Sequence, residues 1–336
     1  MSTYTGALTL PQYAIQANVP IVTKVTMSLL ENGSVLADIP LANKKTLVQN
    51  GVRFESLGSP TWANLNDDFT AVTNTPKAYS EQAYLIRNSI DVDRKLVQDV
   101  NQISDPRGVQ LAAFLKSVAY DVNDKFINND PVAGTAAAPV GLKYRLNNPT
   151  IYGSLSELKI DAGGTVVDMS AAGMTAATAL AFIELVQNMI DYLGGPDGVV
   201  IYMNDVLKRR FETAIRKVGA GAGFTTTADA FDRRISTFQG AIIRDIGRKA
   251  DQTTRIITST ENADGTAGSS NYTSMYAVKY GEDHLMGWQF DPLEDSVIDY
   301  GLLPNAPIYR IGFDYGVGIM SQHNRCMARA YDVKVS

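Results

Sequence analysis

The clearest pattern in the chain is a run near its end in which apolar residues alternate with polar residues or glycine. Within Ile308–Met320, the alternate apolar residues from Tyr309 to Ile319 fall on one face of an extended chain, and Arg310, Asp314 and three glycines fall on the other. Alternation with a period of two predicts a half-buried β-strand. A second strand-like run spans Met327–Val335. These strands must return to a sheet that begins upstream.

The strongest helical pattern begins at Asp105-Pro106, where an N-cap residue precedes a proline suited to the first helical position. Apolar residues then recur at steps of three and four, which places them on one face of a helix. They are Leu111, Leu115, Val118, Val122 and Phe126. The sequence predicts a helix over about 105–127 whose apolar stripe forms part of a core.

The first 93 residues contain apolar pieces that are too short to form a core of their own. Residues 1–40 are interrupted by three prolines, which predicts an extended arm. In residues 41–93, the strand candidates Gly51–Leu57 and Lys77–Val92 flank a turn-rich segment. Because an isolated two-stranded ribbon is only marginally stable in water, we expect this long hairpin to lie on another surface.

The middle of the chain alternates helix and strand patterns, which is typical of an α/β unit. The predicted helices are Thr178–Leu193 and Asp205–Val218, and the predicted strands are Val199–Met203, Thr237–Ile246, Arg255–Thr260 and Ser274–Tyr280. The Gly- and Thr-rich stretch from Gly219 to Thr227 is predicted to be a mobile loop.

Composition excludes several classes of function. The chain has 336 residues, of which 45% are hydrophobic. Its net charge of −5 does not favour an extensive phosphate-binding surface. Its one cysteine excludes an intramolecular disulfide and a multi-cysteine metal site. We see neither a signal peptide nor an apolar run of about eighteen residues. We therefore expect that the protein does not associate with a membrane and that it assembles in a cytoplasm.

Candidate chemical groups are few. The glycines of Gly219–Gly223 follow a helix and lack the Gly-Lys-Ser/Thr triplet of a phosphate-binding loop. His284 and His323 have no metal-ligand spacing, and Cys326 is more typical of a small buried residue than of a nucleophile. We therefore expect no catalytic residue, no cofactor and no metal.

Three basic clusters raise the alternative of nonspecific contact with nucleic acid. They are Lys208-Arg209-Arg210, Arg216-Lys217 and Arg233-Arg234. A helix spreads consecutive residues over wide angles, so the simpler interpretation is a solvated helix with ion pairs between subunits.

The order of elements resembles the major capsid proteins of tailed double-stranded DNA bacteriophages, whose fold encapsulins share. Four local segments are similar to segments of that family: Ile90–Val97 before Asp105-Pro106, Ala138–Leu142, Val199–Asn204 and Phe238–Ile243. The resemblance implies an α+β fold with an N-terminal arm (1–40), an extended E-loop hairpin (41–93), a peripheral domain (94–150) with the spine helix, an axial α/β domain (151–299), and C-terminal strands (300–336) that return to the peripheral domain.

The resemblance also implies a function. The chain would be a structural protein, not an enzyme, whose hexamers and pentamers form an icosahedral phage head around double-stranded DNA. It would reside in the virion after assembly in the host bacterial cytoplasm. Scaffolding, portal and decoration proteins would be its partners, together with nonspecific contacts to the packaged DNA.

The resemblance places inter-subunit contacts in the arm and the E-loop. The candidates are Tyr13, Ile15, Ile21, Val25, Leu29, Arg53, Phe54, Trp62, Phe69, Lys77, Tyr84 and Arg87. Some relatives form a Lys–Asn crosslink, but no motif marks Lys77 and Asn324 as partners, so we expect noncovalent stabilisation. An encapsulin-type shell around an enzyme cargo is the alternative, and an α/β enzyme or ligand-binding protein is a more remote one.

Overall fold

The computed structural model describes residues 34–98, 106–219, 223–228 and 234–336. The candidate contacts of the arm lie outside these residues; they are Tyr13, Ile15, Ile21, Val25 and Leu29. Asp105, the predicted N-cap of the long helix, and Arg233 of the third basic cluster also lie outside them.

The described residues form seven α-helices, two short 3-10 turns and fourteen strands. The helices are α1 Ser34–Asp38, α2 Arg94–Val97, α3 Pro106–Asn128, α4 Leu142–Asn147, α5 Pro149–Tyr152, α6 Ala176–Tyr192 and α7 Asp205–Val218. The strands are β1 Leu41–Asn43, β2 Val48–Ser56, β3 Thr75–Gln82, β4 Tyr84–Asp93, β5 Lys159–Asp161, β6 Val199–Met203, β7 Phe224–Ala228, β8 Arg234–Phe238, β9 Ala241–Asp245, β10 Tyr272–Lys279, β11 Leu285–Gln289, β12 Val297–Leu302, β13 Ile308–Ser321 and β14 Met327–Lys334.

A five-stranded sheet is organised around β13, the strand predicted from the alternating run. One edge of β13 pairs antiparallel with β4 from Ile308 to Val317. Its other edge pairs first with β12 and then with β11, and β1 adds to β11 in parallel. A single strand thus joins the end of the chain to the end of the long hairpin.

Helix α3 covers one face of this sheet. Its Leu111, Leu115 and Val118 pack with the alternating residues of β13, the group Ile311, Phe313, Tyr315 and Val317. Val122 is only partly buried against this cluster. Phe126, in the last turn, belongs to a second core and meets Tyr202 of β6 edge-to-face with ring centres 6.2 Å apart. The helix therefore connects two cores.

The second core surrounds a seven-stranded sheet with the order β5-β14-β10-β6-β9-β8-β7. The central strand β6 is buried along its whole length, as its unbroken apolar run predicts. Helices α6 and α7 pack against this sheet, and Phe182 of α6 meets Phe211 of α7 with ring centres 5.8 Å apart. Asn204 caps α7 because its side chain accepts a hydrogen bond from the Leu207 amide at 2.7 Å.

The sheet assignment of three late strands differs from the prediction. β14 does not return to the sheet beside α3; it pairs with β10 and β5 in the seven-stranded sheet. Conversely, β11 and the start of β12 fall in the range 151–299 but belong to the five-stranded sheet. Alternation shows which residues form a strand, but it contains no information about the partner strand.

Three local predictions were also wrong. The predicted strand Lys77–Val92 is split at Ala83, so that β3 pairs with β2 whereas β4 pairs with β13. The predicted strand Thr237–Ile246 is a hairpin of β8 and β9 that turns at Gln239-Gly240, both with positive φ. Residues 224–227, predicted as loop, belong to β7, and Phe224 packs on Phe211 at 6.2 Å.

The segment Arg255–Thr260, predicted as a strand, contains only bends and an isolated bridge at Arg255. Its two isoleucines, Ile256 and Ile257, are nevertheless buried in the second core. Apolar burial alone produced the strand-like pattern.

Shortening Leu115 tests the packing of α3 on β13. Leu115 is 3% exposed, so Leu115→Ala should lower the free energy of unfolding by about 2–5 kcal/mol. Val109 lies on the same helix but is 51% exposed, and Val109→Ala should change it by less than about 0.5 kcal/mol. Urea unfolding followed by circular dichroism measures both. Equal effects of the two substitutions would contradict the packing described here.

Candidate functional site

The feature that stands out on the surface is a two-stranded ribbon, defined here as β2, β3 and the residues 57–74 between them. The strands pair from Val48 opposite Gln82 to Ser56 opposite Thr75. Residues 57–74, called the tip below, contain no strand or helix. Turn-type hydrogen bonds shape the tip: the Gly58 amide donates to Asn74 Oδ1 at 2.8 Å, and the Asn64 amide donates to Asp67 Oδ2 at 2.6 Å.

The tip exposes large apolar side chains that its own chain does not cover. Trp62, Leu65 and Phe69 are each more than 90% exposed, and Leu57 is 74% exposed. Single exposed apolar residues are ordinary, but several large ones within one short segment are typical of an interaction site. The tip is therefore the candidate interaction surface.

The root of the ribbon is fixed by a buried ion pair. Glu81 of β3 accepts two hydrogen bonds from the Arg145 guanidinium of α4, at 2.5 and 3.0 Å. Arg145 also donates to the Val140 carbonyl and lies over the Tyr152 ring at 4.9 Å. Burial opposes the charge of Arg145, but the Glu81 charge and hydrogen bonds outweigh it and raise the pKa of Arg145. A two-point pair of this kind fixes direction as well as position.

Further contacts hold the ribbon along its length. Lys77 Nζ donates to the Thr150 carbonyl at 2.9 Å, and Asn324 Nδ2 donates to the Phe54 carbonyl at 3.1 Å. Arg53 is 5% exposed and lies over the ring of Tyr79, with its guanidinium carbon 5.4 Å from the ring centre. Tyr79 in turn covers Gly51 of the opposite strand so closely that a Cβ there would meet its hydroxyl oxygen at 2.3 Å.

The structure separates the described contact candidates into two groups. Phe54, Trp62 and Phe69 expose apolar surface. Arg53 and Lys77 are used within their own chain, Arg87 forms an exposed ion pair with Asp314, and Tyr84 is half-buried opposite Val317. Whether any of them contacts a second subunit stays a prediction.

Sequence reasoning missed the anchoring pair and part of the tip. Glu81 and Arg145 are 64 positions apart, and no local pattern links them. Leu57 and Leu65 could have been found, because an apolar residue in a turn-rich segment has no strand or helix face through which to be buried.

Groups with catalytic potential are arranged unfavourably for catalysis. Cys326 is 1% exposed, and burial raises the pKa of its thiol to about 12. His284 and His323 come together with ring centres 5.1 Å apart, and burial lowers the pKa of both. No cluster of three or more metal-ligating side chains occurs in the part of the chain that the structure describes.

Two basic clusters on α7 are partly engaged in local contacts. Arg209 pairs with Asp205 at 3.6 Å and Arg216 with Glu212 at 3.7 Å, while Lys217 Nζ donates to the Met174 carbonyl. Both ion pairs are i, i+4 pairs within one exposed helix. The ion pairs between subunits that the sequence analysis expected stay a prediction. Within the described residues, none of the helices combines the length and apolar character needed to cross a membrane.

Comparison with known proteins identifies the fold. No protein-family model matches the sequence, and neither does any curated protein. Among solved structures, the holo-SrpI encapsulin complex of Synechococcus elongatus PCC 7942 matches with a TM-score of 0.58 at 11% identity, over 97% of both chains. The capsid of the native GTA particle matches with a TM-score of 0.55 at 11% identity, over 89% of this chain and 90% of the other.

A third match is the capsid of Myoviridae phage XM1, with a TM-score of 0.53 at 12% identity, over 88% of this chain and 90% of the other. The predicted α+β capsid fold is therefore confirmed. At such low identity the likeness concerns the fold alone. The division into arm, E-loop, peripheral and axial domains stays a prediction.

Neutralising Glu81 tests the anchor of the ribbon. Glu81→Gln leaves the buried Arg145 charge unpaired and should cost about 3–5 kcal/mol of unfolding free energy. Amide exchange in β2 and β3 should also accelerate, because the ribbon loses its fixed root. Hydrogen exchange and urea unfolding measure the two effects.

The matched control is Asp314→Asn, which removes the acid of the ion pair with Arg87. The Asp314 side chain is 42% exposed and the Arg87 side chain 66% exposed. It should cost less than about 1 kcal/mol and leave exchange in the ribbon unchanged. If both amide variants behaved alike, the ribbon would not depend on the buried pair.

The thiol of Cys326 should be unreactive in the native protein. Since burial raises its pKa to about 12, its thiolate is scarce at pH 8 and covered by protein. A thiol reagent such as DTNB should label less than about one-tenth of the native protein in the time that labels the urea-unfolded protein fully. Fast labelling of the native protein at pH 8 would show that Cys326 is reactive and would contradict this prediction.

Proposed function

We propose that the chain is a structural shell protein whose copies assemble as hexamers and pentamers into an icosahedral phage head enclosing double-stranded DNA. The observation that carries this proposal is the ribbon, in which a rigidly anchored root presents an uncovered apolar tip. The similarity to phage capsids in fold supports it. The protein acts by packing and not as an enzyme.

The energetics of the tip favour association between subunits. Burying one large apolar side chain stabilises a contact by about 1.5–3 kcal/mol. Trp62, Leu65 and Phe69 together therefore supply several kcal/mol per neighbour. The fixed root lowers the ordering cost of binding, since the ribbon already has its direction. A closed symmetric assembly repeats this contact in every subunit.

The proposed arm, residues 1–40, has a fixed root in its described part. Asp38 of α1 forms an ion pair with Arg244 of β9 at 2.7 Å and accepts a hydrogen bond from the Tyr202 hydroxyl at 2.9 Å. Its side chain is 3% exposed. Like the ribbon, the arm would leave the body at a position held by buried charge, and it would contact a neighbouring subunit.

The remaining partners follow from the phage-head proposal. Scaffolding, portal and decoration proteins would act during assembly, and the particle would form in the host bacterial cytoplasm. Contact with the packaged DNA would be nonspecific and would use basic residues such as Arg209 and Arg216, which are more than 70% exposed.

An encapsulin-type compartment is the second candidate, favoured by the match to the encapsulin of Synechococcus elongatus over nearly all of both chains. The contents of purified particles distinguish the two. Nuclease-protected double-stranded DNA supports the phage head, whereas an enzyme cargo without a genome supports the compartment.

Polar substitutions in the tip test the assembly role. The triple variant Trp62→Ser, Leu65→Ser and Phe69→Ser should keep its circular dichroism spectrum, because these side chains contribute nothing to the subunit core. Its threshold concentration for shell formation should rise more than about tenfold, since a loss of only 1.4 kcal/mol per contact suffices for that. Size-exclusion chromatography and negative-stain microscopy measure assembly.

A control variant carries three serines at exposed apolar positions outside the ribbon, namely Val132, Val166 and Leu180. It should form shells at the wild-type concentration. If the tip variant formed shells at the wild-type concentration, the ribbon would have no role in assembly. If the wild-type chain stayed a stable monomer at all concentrations, both the phage-head and the compartment functions would be wrong.

A further inference from the structure

Two aspartates meet where the last strand passes the edge strand of the seven-stranded sheet. Asp161 ends β5, and its register partner in β14 is Tyr331, the neighbour of Asp332. The loop after β5 closes over β14 through two backbone bonds: the Ala162 amide donates to the Tyr331 carbonyl, and the Gly164 amide to the Asp332 carbonyl, both at 3.0 Å. Asp332 itself has a left-handed backbone with φ +62°.

The two carboxylates are placed differently. Asp161 is exposed, and its Oδ1 accepts the Gly163 amide at 2.8 Å. Asp332 is 8% exposed, and its Oδ1 is buried without a hydrogen-bond donor among the described residues. A Cβ on Gly164 would lie 3.0 and 3.1 Å from the two Asp332 carboxylate oxygens, so the carboxylate faces the loop at a position where a side chain would crowd it.

The charge of Asp332 is not balanced as other buried acids in the chain are. Asp38, Glu81 and Asp299 each face an arginine within 2.8 Å. Asp332 forms no ion pair among the described residues. The nearby cations Lys159 and Arg329 lie instead over the Tyr331 ring, at 5.2 and 5.6 Å.

We propose that Asp161 and Asp332 bind a hard divalent cation of the Ca²⁺ type between the loop 161–164 and β14. A buried carboxylate oxygen with neither a donor nor an ion-pair partner is costly, and a bound cation removes that cost. Oxygen donors from an irregular loop suit Ca²⁺, which tolerates variable geometry and completes its shell with water. The site would fasten the C-terminal strand to the edge of the sheet, independently of the proposed shell function.

Calcium titration of the full-length protein tests the proposal. After treatment with EGTA, 10 mM CaCl₂ should raise the melting temperature by roughly 2–4 °C, which is the shift expected for a site with a Kd of about 1 mM. Bound Tb³⁺ should luminesce on excitation of tyrosine, because Tyr331 adjoins the site, and Ca²⁺ should displace it.

Asp332→Asn and Asp161→Asn should each abolish both signals. Asparagine tolerates the left-handed backbone of residue 332, and Asp161 is exposed, so at least the second variant should fold. Asp197→Asn, an exposed aspartate in the turn before β6, should keep both signals. If Ca²⁺ left the melting temperature unchanged, or if the signals persisted in Asp161→Asn, the proposed cation site would be wrong. Either result would leave the proposal of shell assembly unaffected.

Discussion

The packing of helix α3 on strand β13 is the interaction on which the rest of the structure depends. β13 has two edges and two faces, and the described chain uses all four. Its edges pair with β4 on one side and with β11 and β12 on the other. One face meets α3, and the glycines of the other face accept aromatic rings, Trp288 at Gly318 and Tyr300 at Gly312. Because β3 continues into β4 after Ala83, β13 also holds the strand next to the ribbon.

The ribbon combines two demands that conflict in most surface elements. Its tip is exposed together with its apolar residues, and its strands must keep one direction, which requires contacts with the body. The chain meets the second demand with charge at the root: an apolar contact allows sliding, whereas a bidentate Arg145–Glu81 pair fixes both distance and angle. Desolvating the pair costs stability, so its benefit lies in geometry more than in free energy.

The sequence predicts what is local and leaves open what is distant. Helices α3 and α7 lie within one residue of their predicted bounds, because periodicity and capping residues such as Asn204 are visible over a few positions. The sheet chosen by β14 could not be predicted, since its pairing with β10 is a property of two distant segments. The pairing of Glu81 with Arg145 could not be predicted either, because the two residues are distant in sequence. The tip was predicted only in part, through Trp62 and Phe69.

The form of the tip also limits how the protein can associate. A projecting strand with free backbone groups would pair with any other edge and aggregate. Residues 57–74 avoid this because they contain no strand and use turn hydrogen bonds such as that from Gly58 to Asn74. Association through the tip must then depend on the shapes of side chains such as Trp62 and Phe69, which a partner surface can match or reject. In the proposed assembly, affinity would arise at the tip and orientation at the root, so either could change in sequence without the other.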